Sequence, residues 1–206
     1  MRCIMEKLVA LKKAIVAGLM IGIGCTVYLN MENSIVASFL FGLGLFTIIN
    51  LELNLFTGKI GYICKVNCVE ILITLVGNGI GVNIMAFLMK QTRLSERLIE
   101  RVTPIVETKL ADTPISLFLL AVCCGMLMYI AVATFKKEPN ILGTIAVFLC
   151  VSVFILAGFE HCIANMFYFG LVSNPAEYAF PLLIMILGNS TGGILLCKLT
   201  RKKETE

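Results

Sequence analysis

The side chains with the clearest capacity for chemistry are an adjacent acid and imidazole, Glu160 and His161. They are the only charged or imidazole side chains between residues 140 and 175, and His161 is the only histidine among the 206 residues. An imidazole gains and loses a proton near neutral pH, so such a pair can exchange protons with a bound group. Ionisable side chains inside an apolar run are costly unless function needs them. The pair is therefore our first candidate site, although a histidine in this setting can also be a hydrogen-bonded packing residue.

The rest of the chain has the composition of a protein that lives in a lipid bilayer. Hydrophobic residues make up 59% of it and charged residues 15%, with a mean hydropathy of +0.95, far outside the range of soluble proteins. Six apolar runs each approach the roughly 20 residues that cross about 30 Å of hydrocarbon. The sequence predicts an all-α membrane protein with six transmembrane helices, one domain (1–206) and no cleaved targeting segment. The six runs are 14–31, 33–51, 71–89, 114–135, 141–159 and 178–197.

Lysine and arginine indicate how the spans are oriented, because cytoplasmic loops are enriched in them. Six spans place both termini on one side, and that side holds 12 of the 17 basic residues. The other five share the outer loop 90–113 with four acids. We therefore predict a multi-pass protein of the plasma membrane with both termini in the cytoplasm. Apolar residues at helical spacing predict a short surface helix in the outer loop: Leu94, Leu98, Val102 and Val106.

The second and fifth spans are too long for a single crossing if the largely apolar sequence that continues beyond the listed runs is included. Residues 34–64 and 140–172 each extend over roughly 30 residues, or about 45 Å as a helix, against about 30 Å of hydrocarbon. Helix breaks at membrane depth are tolerated only where they line a cavity or are buried in protein. We predict that the second and fifth helices are broken where polar side chains cluster. These are Asn50, Glu52, Asn54 and Thr57 in the first run, and Glu160, His161 and Asn165 in the second.

A repeated motif relates the two halves of the chain. Asn78 and Asn189, each preceded by a glycine and followed by another three residues later, stand 111 residues apart. The same offset places Asn50 opposite His161. Three spans in each half reverse the orientation of the second copy, which is the arrangement of an inverted repeat with its binding site between the halves. We expect these halves at about 14–89 and 114–198.

Metal and cofactor chemistry has little support in the residues. Six of the nine cysteines lie within apolar runs, where cysteine packs as a small hydrophobe. Cys64 and Cys68 have helical spacing, but a lone histidine and no second cysteine pair make a weak zinc site. No nucleophile or cofactor motif accompanies Glu160 and His161, and no basic cluster interleaved with aromatic residues suggests nucleic-acid binding. We predict no metal, no cofactor, no nucleic-acid partner and no enzymatic activity.

Two segments of the chain resemble a known family. Gly158-Phe159-Glu160-His161-Cys162-Ile163-Ala164-Asn165-Met166-Phe167 is similar to the signature of the formate/nitrite transporter family, and Leu55-Phe56-Thr57-Gly58 resembles the tip of that family's omega loop. The two Gly-Asn motifs and the six ordered spans also fit, over about residues 10–200. The resemblance implies an aquaporin-like fold with an inverted repeat and one pore per protomer. It further implies a homopentamer in the cell inner membrane.

Matched position by position, the resemblance makes His161 the central pore residue, with Thr57 as its partner on the omega loop. It places Asn189 at a polar position near the glycines of the sixth span. Tyr129 stands where the family usually has an asparagine that faces the histidine. Glu160 is expected to hold the broken backbone and tune the histidine. The resemblance also implies apolar constrictions on either side of the histidine, at Phe41, Leu45, Leu55, Phe56, Val132 and Phe154.

Three further positions differ from the family pattern. Glu52 stands where a glycine is usual, and Asn54 stands where an acid is usual. Lys109 lies about one helical turn upstream of the expected basic vestibule residue. The segment before the first span is short, so we expect no gating by an N-terminal helix.

The residues and the resemblance lead to one hypothesis about function. A bare anion crosses an apolar constriction only at high cost, whereas its neutral acid crosses far more easily. We hypothesise a membrane channel for small monovalent weak-acid anions, in which His161 transiently supplies a proton. Formate, nitrite and hydrosulfide are the candidate substrates, and the expected partners are the anion, protons and the lipid bilayer. An aquaporin-like channel for small neutral solutes is the alternative, and a membrane-embedded enzyme or a helical scaffold are weaker ones.

Overall fold

The computed structural model describes residues 2–200, with side chains from residue 4 onward, and all regular structure in this range is helical. The predicted all-α class is confirmed for these residues. A 3₁₀ turn, Ile60–Tyr62, directly follows the third helix. In chain order the helices are α1 (Arg2–Asn30), α2 (Ser34–Asn50), α3 (Phe56–Lys59), α4 (Cys68–Lys90), α5 (Ser95–Ala111), α6 (Pro114–Lys137), α7 (Ile141–Leu156), α8 (Cys162–Val172) and α9 (Pro175–Thr200).

Four helices among the described residues are long and apolar enough to cross a bilayer. They are α1 from Ile4 to Asn30, α4, α6 and α9. Helices α2, α7 and α8 are apolar but shorter, with 17, 16 and 11 residues. Length and composition thus mark four of the six predicted spans. The other two runs are occupied by α2 with α3 and by α7 with α8.

Asparagine side chains cap the N-termini of both α2 and α7. Asn33 Oδ1 accepts two amides of the following turn at 3.1 and 3.0 Å, and Asn140 Oδ1 accepts two at 2.9 and 3.4 Å. The first turn of a helix leaves its amides without intrahelical partners, and each cap satisfies two of them. The two helices therefore start by the same device.

The long helices pair closely, α1 along α4 and α6 along α9, while α2 lies against α7. Glycines permit this approach. A Cβ added to Gly18 would lie 2.3 Å from Asn78 O, and one added to Gly125 would lie 2.2 Å from Asn189 O. Only hydrogen fits at these positions, so the backbones of each pair are in direct contact.

The chain leaves α2 and α7 through the same type of cap. Glu52, with φ of 50°, and Gly158, with φ of 72°, are in the left-handed region. The next amide, that of Leu53 or Phe159, donates back across the cap to a helix carbonyl at 2.8 or 2.9 Å. A left-handed residue followed by this six-to-one bond is a Schellman motif. It turns the backbone sharply and satisfies carbonyls at the helix end.

In the first half, the buried side chain of Asn78 connects the break to the long helices. Its Nδ2 donates to Ala14 O on α1 and to Asn54 O in the break, both at 2.8 Å. Its Oδ1 accepts the amide of Phe56, the first residue of α3, at 2.8 Å. One amide side chain therefore satisfies two backbone groups of the break, Asn54 O and the Phe56 amide, and ties them to a carbonyl of α1.

Asn189 makes the same three bonds in the second half. Its Nδ2 donates to Ala121 O on α6 at 2.8 Å and to Glu160 O in the break at 2.7 Å. Its Oδ1 accepts the amide of Cys162, the first residue of α8, at 2.9 Å. The repeated motif around Asn78 and Asn189 thus corresponds to a repeated hydrogen-bond pattern.

The register of the repeat changes along each half. Phe56 and Cys162, which occupy equivalent places, are 106 residues apart, whereas Asn78 and Asn189 are 111 apart. The second half therefore has five more residues between its break and the asparagine of its long helix, and most of them lie in the first turns of α9. A single offset does not describe the whole repeat.

The predicted pairing of Asn50 with His161 is wrong for this reason. The 106-residue register places Leu55 opposite His161, each being the residue before its short helix. Asn50 is exposed at the end of α2, where its amide donates to Phe46 O at 2.8 Å. The offset taken from the asparagines of the long helices does not apply at the breaks, because α9 has four more residues before its asparagine than α4 has.

Helix α5 lies in the outer segment 90–113, and the protein itself covers its apolar side. Leu98, Val102 and Val106 are buried, and α5 packs against α8, α1 and α9. The segment predicted as a short surface helix is therefore anchored on the helices near the second break.

Glu52→Gly should stabilise the protein, because a residue with a Cβ is strained in left-handed backbone. We expect the free energy of unfolding to rise by about 0.5–1 kcal/mol. This is the backbone strain that is relieved, less the cost of the larger conformational entropy of glycine in the unfolded chain. The reciprocal change Gly158→Ala should cost about 1 kcal/mol from backbone strain alone, since no atom lies within 4 Å of the added Cβ. Thermal unfolding in detergent measures both variants, and a lower midpoint for Glu52→Gly would contradict the prediction.

Asn189→Asp should strongly destabilise the fold, because aspartate cannot donate to the two carbonyls that the amide satisfies. The Glu160 carbonyl in the break loses this donor, and the new carboxylate faces two buried carbonyl oxygens, which together cost on the order of 3 kcal/mol or more. The measurements are the yield of monodisperse protein and its thermal midpoint in detergent. Asn83→Asp is the matched control on α4, because Asn83 is exposed and its amide donates within its own helix. An equal drop in yield and thermal midpoint in the two variants would contradict a specific role for Asn189.

Candidate functional site

The break between α7 and α8 ends at His161, which caps α8. Its Nδ1 accepts the amide of Ala164 at 3.1 Å, and its Nε2 lies 2.9 Å from Thr57 Oγ1. The amide can only donate, so the neutral tautomer that fits both contacts carries its proton on Nε2 and donates it to Thr57. His161 is 2% exposed and Thr57 is fully buried. The cap bond thus orients the imidazole and selects the nitrogen that faces Thr57.

Glu160 is held in a buried charge pair beside the histidine. Its Oε2 accepts Lys109 Nζ at 2.5 Å and Asn165 Nδ2 at 2.6 Å. The side chains of Lys109 and Glu160 are only 13% and 4% exposed. A buried carboxylate is tolerated when a cation and hydrogen bonds compensate it, and both are present here. Because Lys109 belongs to α5, the pair also ties that helix to the break.

Two cavities adjoin the His161–Thr57 pair, one next to each partner. The first cavity, of about 820 Å³, is lined by Leu55 and Gly58, the neighbours of Thr57. The second cavity, of about 510 Å³, is lined by His161 and Glu160. The two cavities share no lining residue. The pair therefore links a residue that lines the second cavity to one whose chain neighbours line the first.

The six residues expected at constrictions are all buried, between 1% and 7% exposed. Leu45, Leu55 and Val132 line the first cavity, and Phe154 lines the second. The Phe154 ring stacks on the His161 ring, with centroids 5.4 Å apart, and meets Phe41 edge-on at 5.9 Å. Phe56 lines neither cavity, and its amide is bound by Asn78. An apolar shell thus encloses the polar pair.

The structure brings Asn189 to the site but not Tyr129. Asn189 holds the backbone on both sides of His161, through Glu160 O and the Cys162 amide. The Tyr129 hydroxyl is instead 3.1 Å from Thr200 Oγ1, and its ring lies 5.6 Å from that of Tyr62.

The position of Tyr129 follows from helix geometry. The α6 residue next to the break is Leu120, whose carbonyl accepts the Glu160 amide at 3.4 Å. Tyr129 is nine residues further along α6, which is about 13 Å at 1.5 Å per residue. The Tyr129 side chain therefore contacts Tyr62 and Thr200 rather than the imidazole.

Lys109 is the site residue whose role the sequence left open. The signal that could have assigned it is charge: a buried Glu160 needs a base close by, and the outer loop supplies five. Which of the five reaches the acid depends on how α5 packs, and spacing along the chain does not specify that packing. Asn78 was visible as part of the repeated motif, but its bonds to the break were not.

Comparisons with known proteins give a consistent result. A family model described as "Formate/nitrite transporter" matches residues 3–201. A solved structure titled "Pentameric formate channel with formate bound" superposes with a TM-score of 0.81 at 23% identity, covering 94% of this chain and 95% of that one. A solved structure titled "FNT family ion channel" superposes with a TM-score of 0.83 at 23% identity, covering 93% of this chain and 88% of that one. At this identity the two structures show a common fold. No curated protein matches the chain.

Lys109→Met should destabilise the protein, because it leaves the Glu160 carboxylate buried without its cation. The expected loss is about 3–5 kcal/mol. Adding Glu160→Gln should restore most of it, since glutamine is neutral and its oxygen can still accept the Asn165 amide. Thermal midpoints of the single and double variants in detergent measure the effect, with Lys90→Met as an exposed control. A double variant no more stable than Lys109→Met would rule out this explanation.

Proposed function

The chain belongs to the formate/nitrite transporter family, and from this membership we propose that it is a multi-pass membrane channel for small monovalent weak-acid anions, such as formate, nitrite or hydrosulfide. One observation carries the proposal. A buried imidazole–hydroxyl pair, His161 and Thr57, lies between two cavities and is surrounded by apolar side chains. Such a site can exchange protons yet excludes a hydrated ion.

We further propose that α2 with α3, and α7 with α8, each form one interrupted crossing, which makes six spans with the four long helices. The matching caps and asparagine bonds at the two breaks support this arrangement. The chain is then one domain, 1–206, with an aquaporin-like inverted repeat of halves 14–89 and 114–198. The loop 90–113 lies outside, and both termini lie in the cytoplasm because the basic residues concentrate on that side.

The local fields at the site favour an approaching anion. The N-terminus of α8 lies at Cys162, directly after His161, so the positive end of an 11-residue helix is directed at the break. The charge of Glu160 is balanced by Lys109 and therefore opposes an anion only weakly. An anion that reaches the pair meets polar hydrogens rather than uncompensated negative charge.

Passage beyond the pair requires the anion to lose its charge. The apolar side chains of Phe41, Phe154, Leu45, Leu55 and Val132 offer a bare anion no hydrogen bonds, and burying an unpaired charge is very costly. A neutral acid HX avoids that cost. The constrictions therefore act as a filter for the protonated form.

The His161–Thr57 pair supplies the proton through a relay in this proposal. The neutral pair has two exchangeable protons, on Nε2 and Oγ1, and only one is needed for the bond between them. When Oγ1–H breaks and X–H forms, a proton from cavity water bonds to Oγ1 in the same event, while the Nε2–H hydrogen bond to Oγ1 orients the hydroxyl. The pair regains its original state, HX has formed, and the net change is one proton removed from solution. The Ala164 amide at Nδ1 keeps the imidazole from accepting a second proton.

The assembly is proposed from the same comparisons. The structure titled "Pentameric formate channel with formate bound" covers nearly all of this chain, and we propose a homopentamer with one pore per protomer in the plasma membrane. The partners are the anion, protons and the lipid bilayer. The function is transport, with no enzymatic step.

His161→Ala should reduce anion uptake at least tenfold, because general acid–base groups contribute roughly 10²–10⁴ to proton transfer. The test is uptake of formate, nitrite and hydrosulfide into proteoliposomes over a range of pH. Wild-type uptake should saturate and rise on the acid side. Thr57→Val should share the defect, and Asn83→Ala on exposed α4 surface serves as the matched control.

Two outcomes would decide against the proposal. Anion uptake and pH dependence that are unchanged in His161→Ala would reject the proton relay. Flux of water or glycerol alone, indifferent to His161, would favour the aquaporin-like channel for neutral solutes instead.

A further inference from the structure

The two cavities differ in the charges that line them. With His161 neutral, the formal charge is +1 in the first cavity and −1 in the second. The first cavity is lined by Lys7, Lys13, Lys59, Lys136, Glu6, Glu52 and Glu70, and the second by Lys109, Asp112 and Glu160.

In the second cavity the only lysine is already compensated. Lys109 Nζ lies 2.5 Å from the Glu160 carboxylate. The two charges therefore largely cancel for a solute that is much further away than this separation. Asp112 is left as the net charge, and its oxygens accept the Thr113 amide and the Ser116 hydroxyl, each at 2.7 Å. An anion in this cavity therefore meets a slightly negative lining.

The first cavity lacks the corresponding buried acid. In the 106-residue register, Asn54 takes the place of Glu160, and Lys59 takes the place of Asn165. Asn54 is 5% exposed, and its amide donates to Ala10 O at 3.2 Å. The break in this half is thus neutral, and no buried carboxylate draws in a lysine from the cavity wall.

Several lysines of the first cavity keep their charge available. Lys59 is paired with Glu70 at 2.8 Å, but both side chains are partly exposed. Lys13 forms no ion pair among the residues that the structure describes. Lys136 Nζ lies 4.6 Å from the centroid of the Tyr62 ring, a contact that positions an ammonium without neutralising it.

We propose that the first cavity is the capture site for anions and that the second is not, so that the chain takes up its anion with higher apparent affinity from the first-cavity side. The inference rests on the proposed function and adds a sidedness to it. Clefts lined by one sign of charge between low-dielectric walls focus the field and concentrate counter-ions. Around the breaks the halves differ in charge at Asn54 and Lys59, which favour an anion in the first cavity, and at Glu52, opposite Gly158, which opposes it.

Sidedness of this kind is compatible with passive transport. A passive channel has the same ratio of maximum rate to half-saturation concentration in both directions. The half-saturation concentration and the maximum rate should therefore both be lower from the first-cavity side, in the same proportion.

The experiment compares formate uptake in right-side-out and inverted membrane vesicles that contain the full-length protein. Lys13→Gln should raise the half-saturation concentration from the first-cavity side roughly threefold, as expected for one unit charge about 7 Å away in a water-like dielectric. Lys12→Gln is the matched control, because the neighbouring Lys12 is exposed and does not line the cavity. Lys136→Gln repeats the test from α6.

Salt and the opposite cavity provide independent readouts. The difference between the two sides should shrink between about 0.01 M and 1 M ionic strength, as the Debye length falls from roughly 30 Å to 3 Å. Asp112→Asn should lower the half-saturation concentration for uptake from the second-cavity side. The half-saturation concentration from the first-cavity side should not change. The variant retains an oxygen that can accept the Thr113 amide.

The outcomes separate this inference from the proposed function. Saturable, His161-dependent formate uptake with equal half-saturation from both sides, or with equal responses to Lys12→Gln and Lys13→Gln, would overturn the inference and leave the function standing. Absence of any saturable anion uptake would overturn both.

Discussion

The backbone groups left unpaired at two helix breaks are the constraint on which the rest of this structure depends. In an apolar surrounding each such group is costly, and water is not available to satisfy it. Asn78 and Asn189 solve the problem because a primary amide has two donors and an acceptor on one short neutral side chain. Each satisfies two carbonyls and one amide belonging to three different segments. The Gly18 and Gly125 contacts bring the long helices close enough for these bonds to form.

The same backbone frame then supports two different electrostatic environments. At Glu160 the break includes a carboxylate, which is stable there because Lys109 and Asn165 compensate it. At Asn54 the equivalent position is neutral and needs no cation. Hydrogen-bond geometry is therefore shared between the halves, while charge is not, and no buried carboxylate at the first break pairs with a lysine of the first cavity. Function can vary in this architecture without disturbing the bonds that hold the breaks.

The central pair illustrates how structural and chemical roles combine in one residue. His161 is a helix cap through Nδ1, and that cap presents Nε2 to Thr57 on the opposite half of the chain. The stack on Phe154 further restricts the ring. An imidazole so constrained has one defined protonation site, which is what a proton relay requires. In the proposed mechanism, the apolar side chains near the pair favour passage of the uncharged acid that the relay forms.

Much of the fold followed from the sequence, but register and partners did not. Run lengths and hydropathy predicted an all-α membrane chain, because they depend on local composition alone. The family signature marked Thr57 and His161 as partners although 104 residues separate them. The offset of 111 was right for Asn78 and Asn189 and wrong for Asn50, because the number of residues between the break and the asparagine of the long helix differs between the halves.

By itself, then, the sequence determined the helical class, the positions of the polar breaks and the family to which the chain belongs. Only the tertiary structure decided that Lys109 compensates Glu160, that Tyr129 lies away from the imidazole, and that the two cavities carry opposite formal charge. The physical reason is that helix formation and membrane burial are set by neighbouring residues, whereas hydrogen bonds and ion pairs between distant segments depend on how whole helices pack.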